Sequence, residues 1–416
     1  MSNTILTNSI IAKEALMILE NELVLGNLVY RDYESEFQKS VNGYTPGTTI
    51  SIRKPAKYTL RTGASMSTQD STETTTPLTV GTQLGVDLGG WTSADRTLSI
   101  PEFSKRFIRP AMVTIAQGVD ANIAANYKSV WNWVGTPGTQ LTNFSGFSKA
   151  PQRMDEMAVP QGDRSAVLNP ADQWGMIGSV SGLYISDTAK SALQRAKLPM
   201  LGGIDTYMSQ NAPQHTIGHR GGTPLVNGAS QNVAYSQTTT DGQTLITDGW
   251  TATTATVKKG DVFTIAGVYA VNPVPGVTGS SKPAMSYLQQ FVVTADGTAD
   301  GSGNMTISIS PSIITSGAFQ TVSAAPADNA AMTFLGTVDT TYNQNIAFHK
   351  NAFALAVVPM IKPDGAVDVQ RVSHNGLSVR MIPVYTGSND TSAIRLDLLM
   401  GTKAIYPDLA TRFSGS

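Results

Sequence analysis

Four histidines and no cysteine limit the chemistry this chain could carry. His215 and His219 stand four residues apart, the interval at which two imidazoles on one helical face hold a zinc ion. Gly218 lies between them, no glutamate follows His215, and the flanking residues are loop-like, so the pair is not read as a metal site. Asp296-Gly297 and Asp300-Gly301, inside TADGTADGSGN, are rich in oxygen donors but lack the bidentate glutamate of a calcium loop, and Asp-Gly reads better as turn chemistry. His349 and His374 lie in apolar or strand-like surroundings without the serine and aspartate of a catalytic triad. There is no glycine-rich phosphate loop of the Walker type. The missing cysteines remove a thiolate nucleophile, a thiolate zinc site and a disulfide framework together. The expectation is a chain with no catalytic residue, no metal and no cofactor, and not an enzyme.

The 416 residues can bury several cores, so more than one domain is expected. A formal net charge of -1 gives no global pull towards nucleic acid or anionic lipid. The N-terminal residues lack a basic stretch followed by an apolar core, and no apolar run has membrane-spanning length. The chain is therefore expected to be soluble, made in a reducing cytoplasm, and without a membrane partner.

The elements that must position any site differ sharply along the chain. Between Ser9 and Leu28, Ile10, Ile11, Leu16, Met17, Leu19, Leu23 and Val24 recur at roughly helical spacing and predict an amphipathic helix. Its apolar stripe reads either as core or as a face for another subunit, and both readings stand. From Phe37 to Ser99 the chain is polar, with strand-like Thr49 to Arg53 and Leu78 to Val80 flanking RTGASMSTQDSTETTTPL. That pattern predicts an extended β-hairpin with an exposed tip. A helix is expected from Pro101, capped by Ser99, to Val134, its stripe running from Phe107 through Met112, Ile115, Val119, Ile123, Tyr127 and Val130. Pro110 must kink it or sit in its first turn. Arg164 to Pro170 reads as a strand running into a helix start, and Ser191 to Leu198 as a short basic helix with Arg195 and Lys197.

Charge alternates by segment. Lys13 to Glu36 holds six acidic and two basic side chains, Phe37 to Gly63 five basic and none acidic, and Ala64 to Glu102 five acidic and one basic. Such blocks are either solvated faces or complementary charges between copies of one chain. From Gly222 to Thr340 there is no Glu, Arg or His, and three Lys stand against seven Asp. Short β-type runs recur there: Gln243 to Thr247, Thr251 to Val257, Val262 to Val268, Tyr287 to Thr294, Met305 to Ile309 and Met332 to Phe334. This stretch reads as an all-β barrel or sandwich inserted into a host fold. Host-like composition returns at Asn345, and strands at Leu377 to Val384 and Ile394 to Leu399 close the chain.

The order of these features resembles the coat proteins of the phage P22 type, which have the HK97-like capsid fold. The resemblance is carried by the N-terminal helix, then Arg31-Asp32-Tyr33-Glu34 with Glu36-Phe37, then Thr48 to Pro55. Trp91-Thr92-Ser93-Ala94-Asp95, Val257 to Val268, Asn345 to His349 and Phe353 to Ala356 continue it, so that it spans nearly the whole chain. The resemblance implies an α+β class with an N-arm (1–36), an extended loop (37–98) and a peripheral domain with a spine helix (99–145). It further implies an axial domain whose first part is 146–221, an inserted all-β domain (222–342) and a return to the axial and peripheral domains (343–416). In that family the inserted domain carries a loop reaching a neighbour across a two-fold axis. The matching tip, Thr238 to Gly242, is short and largely uncharged here.

The implied function is a major capsid protein, self-assembling as hexamers and pentamers into the icosahedral shell of a tailed double-stranded-DNA phage. The implied partners are further copies of the chain, a scaffolding protein, a portal protein and packaged DNA held without sequence reading. The implied location is the virion, with assembly in the host cytoplasm. Candidate contacts between subunits are Lys13, Glu14, Glu20, Glu22, Lys54, Lys57, Arg61, Asp70, Glu73 and Asp241. Arg106, Arg109 and Lys128 are candidates for scaffold or DNA contact, beside the plainer reading of a solvated face. A β-rich phage tail or receptor-binding protein is the alternative, but it would not need the long central helix. A polysaccharide hydrolase would need paired carboxylates and aromatic sugar platforms, which the β-rich stretch does not offer.

Overall fold

The structure, a computed structural model, describes residues 8–33, 47–60, 63–66, 68, 73–92, 104–180, 198, 200–234, 242–274, 282–366 and 368–416. The chain forms two compact units, one from Met1–Ser51, Pro77–Ala124 and Phe353–Ile405, the other from Ile52–Thr76, Ala125–Ala352 and Tyr406–Ser416.

The first unit is built around one long strand, Thr391–Ala404. Thr82–Thr92 pairs antiparallel along one edge of it. The other edge is shared, Leu377–Thr386 taking its first half and Phe353–Val358 its second, with Gln370–His374 outermost. Asp397, near the middle of that strand, is fully buried. Its carboxylate accepts from Arg380 Nε at 2.9 Å and Nη2 at 2.7 Å, from Gln83 Nε2 at 2.8 Å and from Arg395 Nε at 3.0 Å. Burial alone would raise its pKa, but the hydrogen bonds and charge of Arg380, with Arg395 and Gln83, hold it below the usual carboxylate range.

Two helices cover this sheet. Asn8–Glu22 buries Ile11, Ala15 and Leu19, with Ala12 and Leu16 beside them, an i, i+4 stripe that packs on Arg109–Ala124 and on the two outer strands. Of the two readings of the N-terminal stripe, the structure takes the core. The helix stops at Glu22 instead of running to Leu28, and a separate turn follows at Leu25–Leu28. The reason is Asp120, a buried carboxylate that accepts from the amides of Val24 at 2.8 Å and Gly26 at 2.9 Å, donors a continuous helix would have used itself. Desolvation raises the pKa of Asp120 despite those amides.

The helix expected from Pro101 to Val134 is shorter. Ser104–Ile108 is a π-helical turn, Arg109–Ala124 is α-helical, and Ala125–Ser129 tightens to 3₁₀. Pro110 sits in the first α-turn, where its missing donor costs least. Trp133–Val134 is a strand beside Ala410–Phe413, so pairing with a distant segment overrides helical periodicity there. The hairpin strands are Thr49–Lys54 and Thr74–Thr79, the second earlier than expected, and Thr82–Thr92 was not anticipated. Ser99, Pro101, the Thr238 to Asp241 tip, and Ser191 to Lys197 lie outside the described residues.

The second unit contains a five-stranded sheet ordered Trp133–Val134, Ala410–Phe413, Asn345–His349, Arg164–Leu168, Asp205–Met208. Helices Phe144–Glu156 and Pro170–Val180 supply Phe147, Ala150, Met154, Met176 and Ile177 to its core. The expected strand-to-helix turn forms here. Asn169 Oδ1 caps the helix by accepting the Asp172 amide at 3.0 Å, and Asp172 accepts from the Leu141 amide at 2.7 Å and Asn345 Nδ2 at 2.6 Å.

The second core of this unit is an antiparallel sheet of six strands, ordered Met332–Phe334, Val262–Val271, Ala284–Val293, Met305–Ser310, Gln243–Trp250, Gly222–Val226. Bonds from the Val226 amide to Ala330 O at 3.0 Å and from the Asn329 amide to Val226 O at 2.9 Å join its two edges. The sheet therefore closes as a barrel, filled by Leu245, Phe263, Ile265, Phe291, Val293, Ile307 and Ile309. Gly249, at φ +72°, marks the register shift between the last two strands, where a Cβ would meet Thr223 O at 2.4 Å. The segment Thr251 to Val257, expected as a full strand, contributes only Thr256–Val257. The expected α+β class with an inserted all-β barrel is thus the class observed.

Replacing Asp397 with alanine leaves Arg380 buried and unpaired and should cost about 3 to 5 kcal/mol in denaturant unfolding of the unassembled chain. The folded pKa of Asp397 is depressed, so its stabilisation is present above the unfolded value and is lost as pH falls through the folded value. Stability measured from pH 7 down to pH 2 should fall less steeply in Asp397→Asn, and equal slopes would refute this.

Candidate functional site

In the first unit the acidic candidates on the N-terminal helix are already engaged. Glu20 Oε1 accepts from Asn375 Nδ2 at 2.7 Å. Glu22 pairs with Arg109 at 3.2 Å, so two residues expected to meet different partners meet each other. Lys13 is exposed and Glu14 half-buried. Arg106 is exposed, its guanidinium 5.8 Å from the ring of Phe107.

In the second unit the hairpin residues Arg53 and Glu73 form an exposed pair at 3.5 Å, worth little by itself. Lys54 Nζ lies 5.6 Å from the Tyr406 ring and Lys57 Nζ 5.8 Å from that of Phe319, both at cation-π distance. Near Lys57 is a buried amine, Lys282, whose Nζ donates to Gln320 O at 3.2 Å. Burial, helped by the charge of Lys57, lowers its pKa to about 8. Arg61, Asp70 and Asp241 lie outside the described residues.

The densest polar constellation in this unit joins the barrel to the rest of it. Asp261 opens the strand Val262–Val271 and is 1% exposed. Its Oδ1 lies 2.8 Å from His215 Nε2, and its Oδ2 accepts from the amides of Lys258 at 3.0 Å and Gly218 at 3.2 Å. His215 Nδ1 lies 3.0 Å from the Tyr127 hydroxyl. With its proton on Nε2, the ring donates to Asp261 and accepts from Tyr127. Gly260 holds φ +105° in the turn before Asp261, and a Cβ there would meet His215 Cε1 at 3.0 Å.

Arg412, wholly buried, lies 5.7 Å from the Tyr127 ring and 4.9 Å from that of Trp133. Its Nη2 donates to Gly260 O at 2.9 Å, while Nε and Nη1 have no hydrogen-bond partner among the described residues. Burial lowers its pKa to about 10 and raises that of Tyr127 to about 12. Beside them Gln290 clamps the backbone of Trp133 through two bonds of 2.8 Å, and Trp131, Trp133, Val262 and Val292 form a small apolar cluster.

A cleft of about 540 Å³ opens on this network, lined by Tyr127, Lys128, Gln214, His215, Thr216, Lys258, Lys259 and Asp296. Its neutral polar groups are internally paired: Gln214 with Asn343 at 2.9 Å, Thr216 with Thr341 at 2.8 Å, and the Tyr127 hydroxyl with His215 Nδ1 at 3.0 Å. Of these residues the sequence singles out Lys128 as a cation, His215 as half of a rejected zinc pair, Asp296 as turn chemistry and Tyr127 as part of a helical stripe. The legible signal was that two of the three lysines of the β-rich stretch are adjacent, Lys258 and Lys259, just before Gly260-Asp261. His219 turns to a different partner, Asp339. Asp300 Oδ1 accepts the amides of Ser302 and Asn304 at 2.8 Å each, as Asp-Gly turn chemistry requires.

The geometry thus consists of paired, buried polar joints and exposed charge. The sequence matches the model of the family described as P22 coat protein, gene protein 5, over residues 2–415. The chain belongs to the P22 coat protein family. It is a major capsid protein of a tailed-phage shell, a structural role within the virion. No curated protein matches this coat protein by sequence. Among solved structures it is similar to one from Mycobacterium phage Che8, at 14% identity and a TM-score of 0.48, covering 95% of this chain and 92% of that one. It is also similar to the capsid of Ralstonia phage GP4, at 7% identity, TM-score 0.43, with 89% and 84% covered. These two likenesses are of outline, and the assignment of this coat protein rests on the family match.

Two outcomes are expected. Asp261→Ala removes the acceptor of two buried amides and an imidazole and should destabilise the coat protein by about 3 kcal/mol or more in urea titration. An unchanged midpoint would show the joint to be dispensable. Lys282 has a depressed folded pKa, so the unfolded chain binds more protons between about pH 8 and 10.5 and its contribution to stability rises with pH there. Lys282→Met should remove that rise from a series of melts across this range, and an identical pH slope in both proteins would contradict the assignment.

Proposed function

We propose that this coat protein assembles in the host cytoplasm, around a scaffolding protein and with a portal at one vertex, into an icosahedral precursor shell of hexamers and pentamers. Packaging of double-stranded DNA then expands the shell by switching the packing of the same chain. The observation that carries this reading is the family match over residues 2–415.

One subunit surface must meet several non-identical neighbours. The N-terminal arm over 1–36 and the extended loop over 37–98 are suited to absorbing those differences. Lys13, Glu14, Lys54, Lys57 and Glu73 would supply charge that sets register more than affinity. Glu20, Glu22 and Arg109 would do so only by exchanging partners within the subunit. Arg106 and Lys128 are the cations proposed to face scaffold or DNA, a contact made through phosphates without reading sequence.

Negative-stain electron microscopy of the purified coat protein, expressed with and without its neighbouring genes, tests the proposal directly. Closed shells, or spirals and tubes of the same subunit, are the expected result. A monodisperse monomer or small ring under every condition would overturn it.

A further inference from the structure

We propose that the cleft flanked by Lys128, Lys258 and Lys259 is a seat for a phosphate-class oxyanion, whether a free phosphate compound or a phosphate of a nucleic-acid backbone. The hydroxyl and amide groups of the cleft are paired internally, and among the described residues none of the three ammonium groups has an ion-pair partner.

The two carboxylates at the site do not fill that need. Asp261 spends both oxygens on His215, Gly218 and Lys258, and Asp296 Oδ1 accepts the Lys259 amide at 2.7 Å. These bonds take the backbone amides of the Lys258-Lys259 turn and leave its two side chains exposed from a fixed base. Arg412, wholly buried and not part of the cleft lining, holds the same turn from within by donating to Gly260 O at 2.9 Å. Three lysines against one carboxylate, Asp296, therefore line the cleft in a chain of net charge -1. Lysine ammonium groups act as mobile point charges that can converge on the several oxygens of a phosphate.

The nucleic-acid arm of this proposal rests on the DNA contact proposed above for Lys128, whereas shell assembly is read out separately, so the two fail separately. Calorimetric titration of the full-length protein with inorganic pyrophosphate, and in a second arm with a short duplex DNA, provides the test. Shell assembly of each variant is scored in parallel by microscopy. Binding of either probe should weaken by roughly tenfold or more in the triple variant Lys128→Gln, Lys258→Gln, Lys259→Gln, with the melting temperature held. It should be unchanged in Lys350→Gln with Lys403→Gln, which removes two exposed cations elsewhere. Pyrophosphate binding alone marks a free phosphate as the ligand, and duplex binding alone marks the nucleic-acid backbone. The proposal is overturned if neither probe binds, or if both sets of variants lose binding equally.

Discussion

The fold around the barrel depends on one buried carboxylate. Asp261 is the first residue of its turn to enter the barrel wall, and it simultaneously holds His215 from a strand outside the barrel and two amides from separate loops. A carboxylate at 1% exposure is costly unless its lone pairs are used, and here the lone pairs are what tie the pieces together. The same bonds fix the Lys258-Lys259 turn, so the exposed charge of the cleft is a direct result of the joint beneath it. Arg412 marks the opposite condition, a buried cation stacked among Tyr127 and Trp133 with part of its hydrogen-bonding capacity unused.

Carboxylates also organise the first unit, and two of them titrate in opposite senses for stated reasons. Asp397 has a bidentate arginine, a second arginine and an amide, and attraction outweighs desolvation. Asp120 has only neutral backbone amides, and desolvation wins. One secures the long central strand from within, and the other ends the N-terminal helix and starts the turn after it. Such interior charges, each held from several sides, fix the packing of the core around them. A barrel closed edge to edge presents no free sheet edge for unscheduled pairing between copies.

Charge on the surface has a different character. The alternation of acidic and basic blocks along the first hundred residues suggested contacts between copies, yet Glu22 with Arg109 and Arg53 with Glu73 are satisfied within one chain. In the second unit the cleft gathers three lysines, Lys128, Lys258 and Lys259, with no carboxylate partner among the described residues.

The sequence by itself determined the composition-driven features. The loss of Glu, Arg and His beyond Gly222, with β-branched runs between turns, foretold strands at Gln243, Val262 and Met305, because burial on a pleated surface selects those residues locally. Asn169-Pro170 foretold a helix start because capping is a local interaction, and the order of motifs led to the family. Only the tertiary structure decided where periodic segments stop. The N-terminal helix ends because a carboxylate ninety-four residues away claims the Gly26 amide, and Trp133 leaves helical pattern because Arg412 and Phe413 offer it a strand. The cleft was illegible for the same reason. Tyr127, His215, Lys258 and Arg412 are far apart in the chain, none has a local motif, and only packing brings their charges within reach of one another.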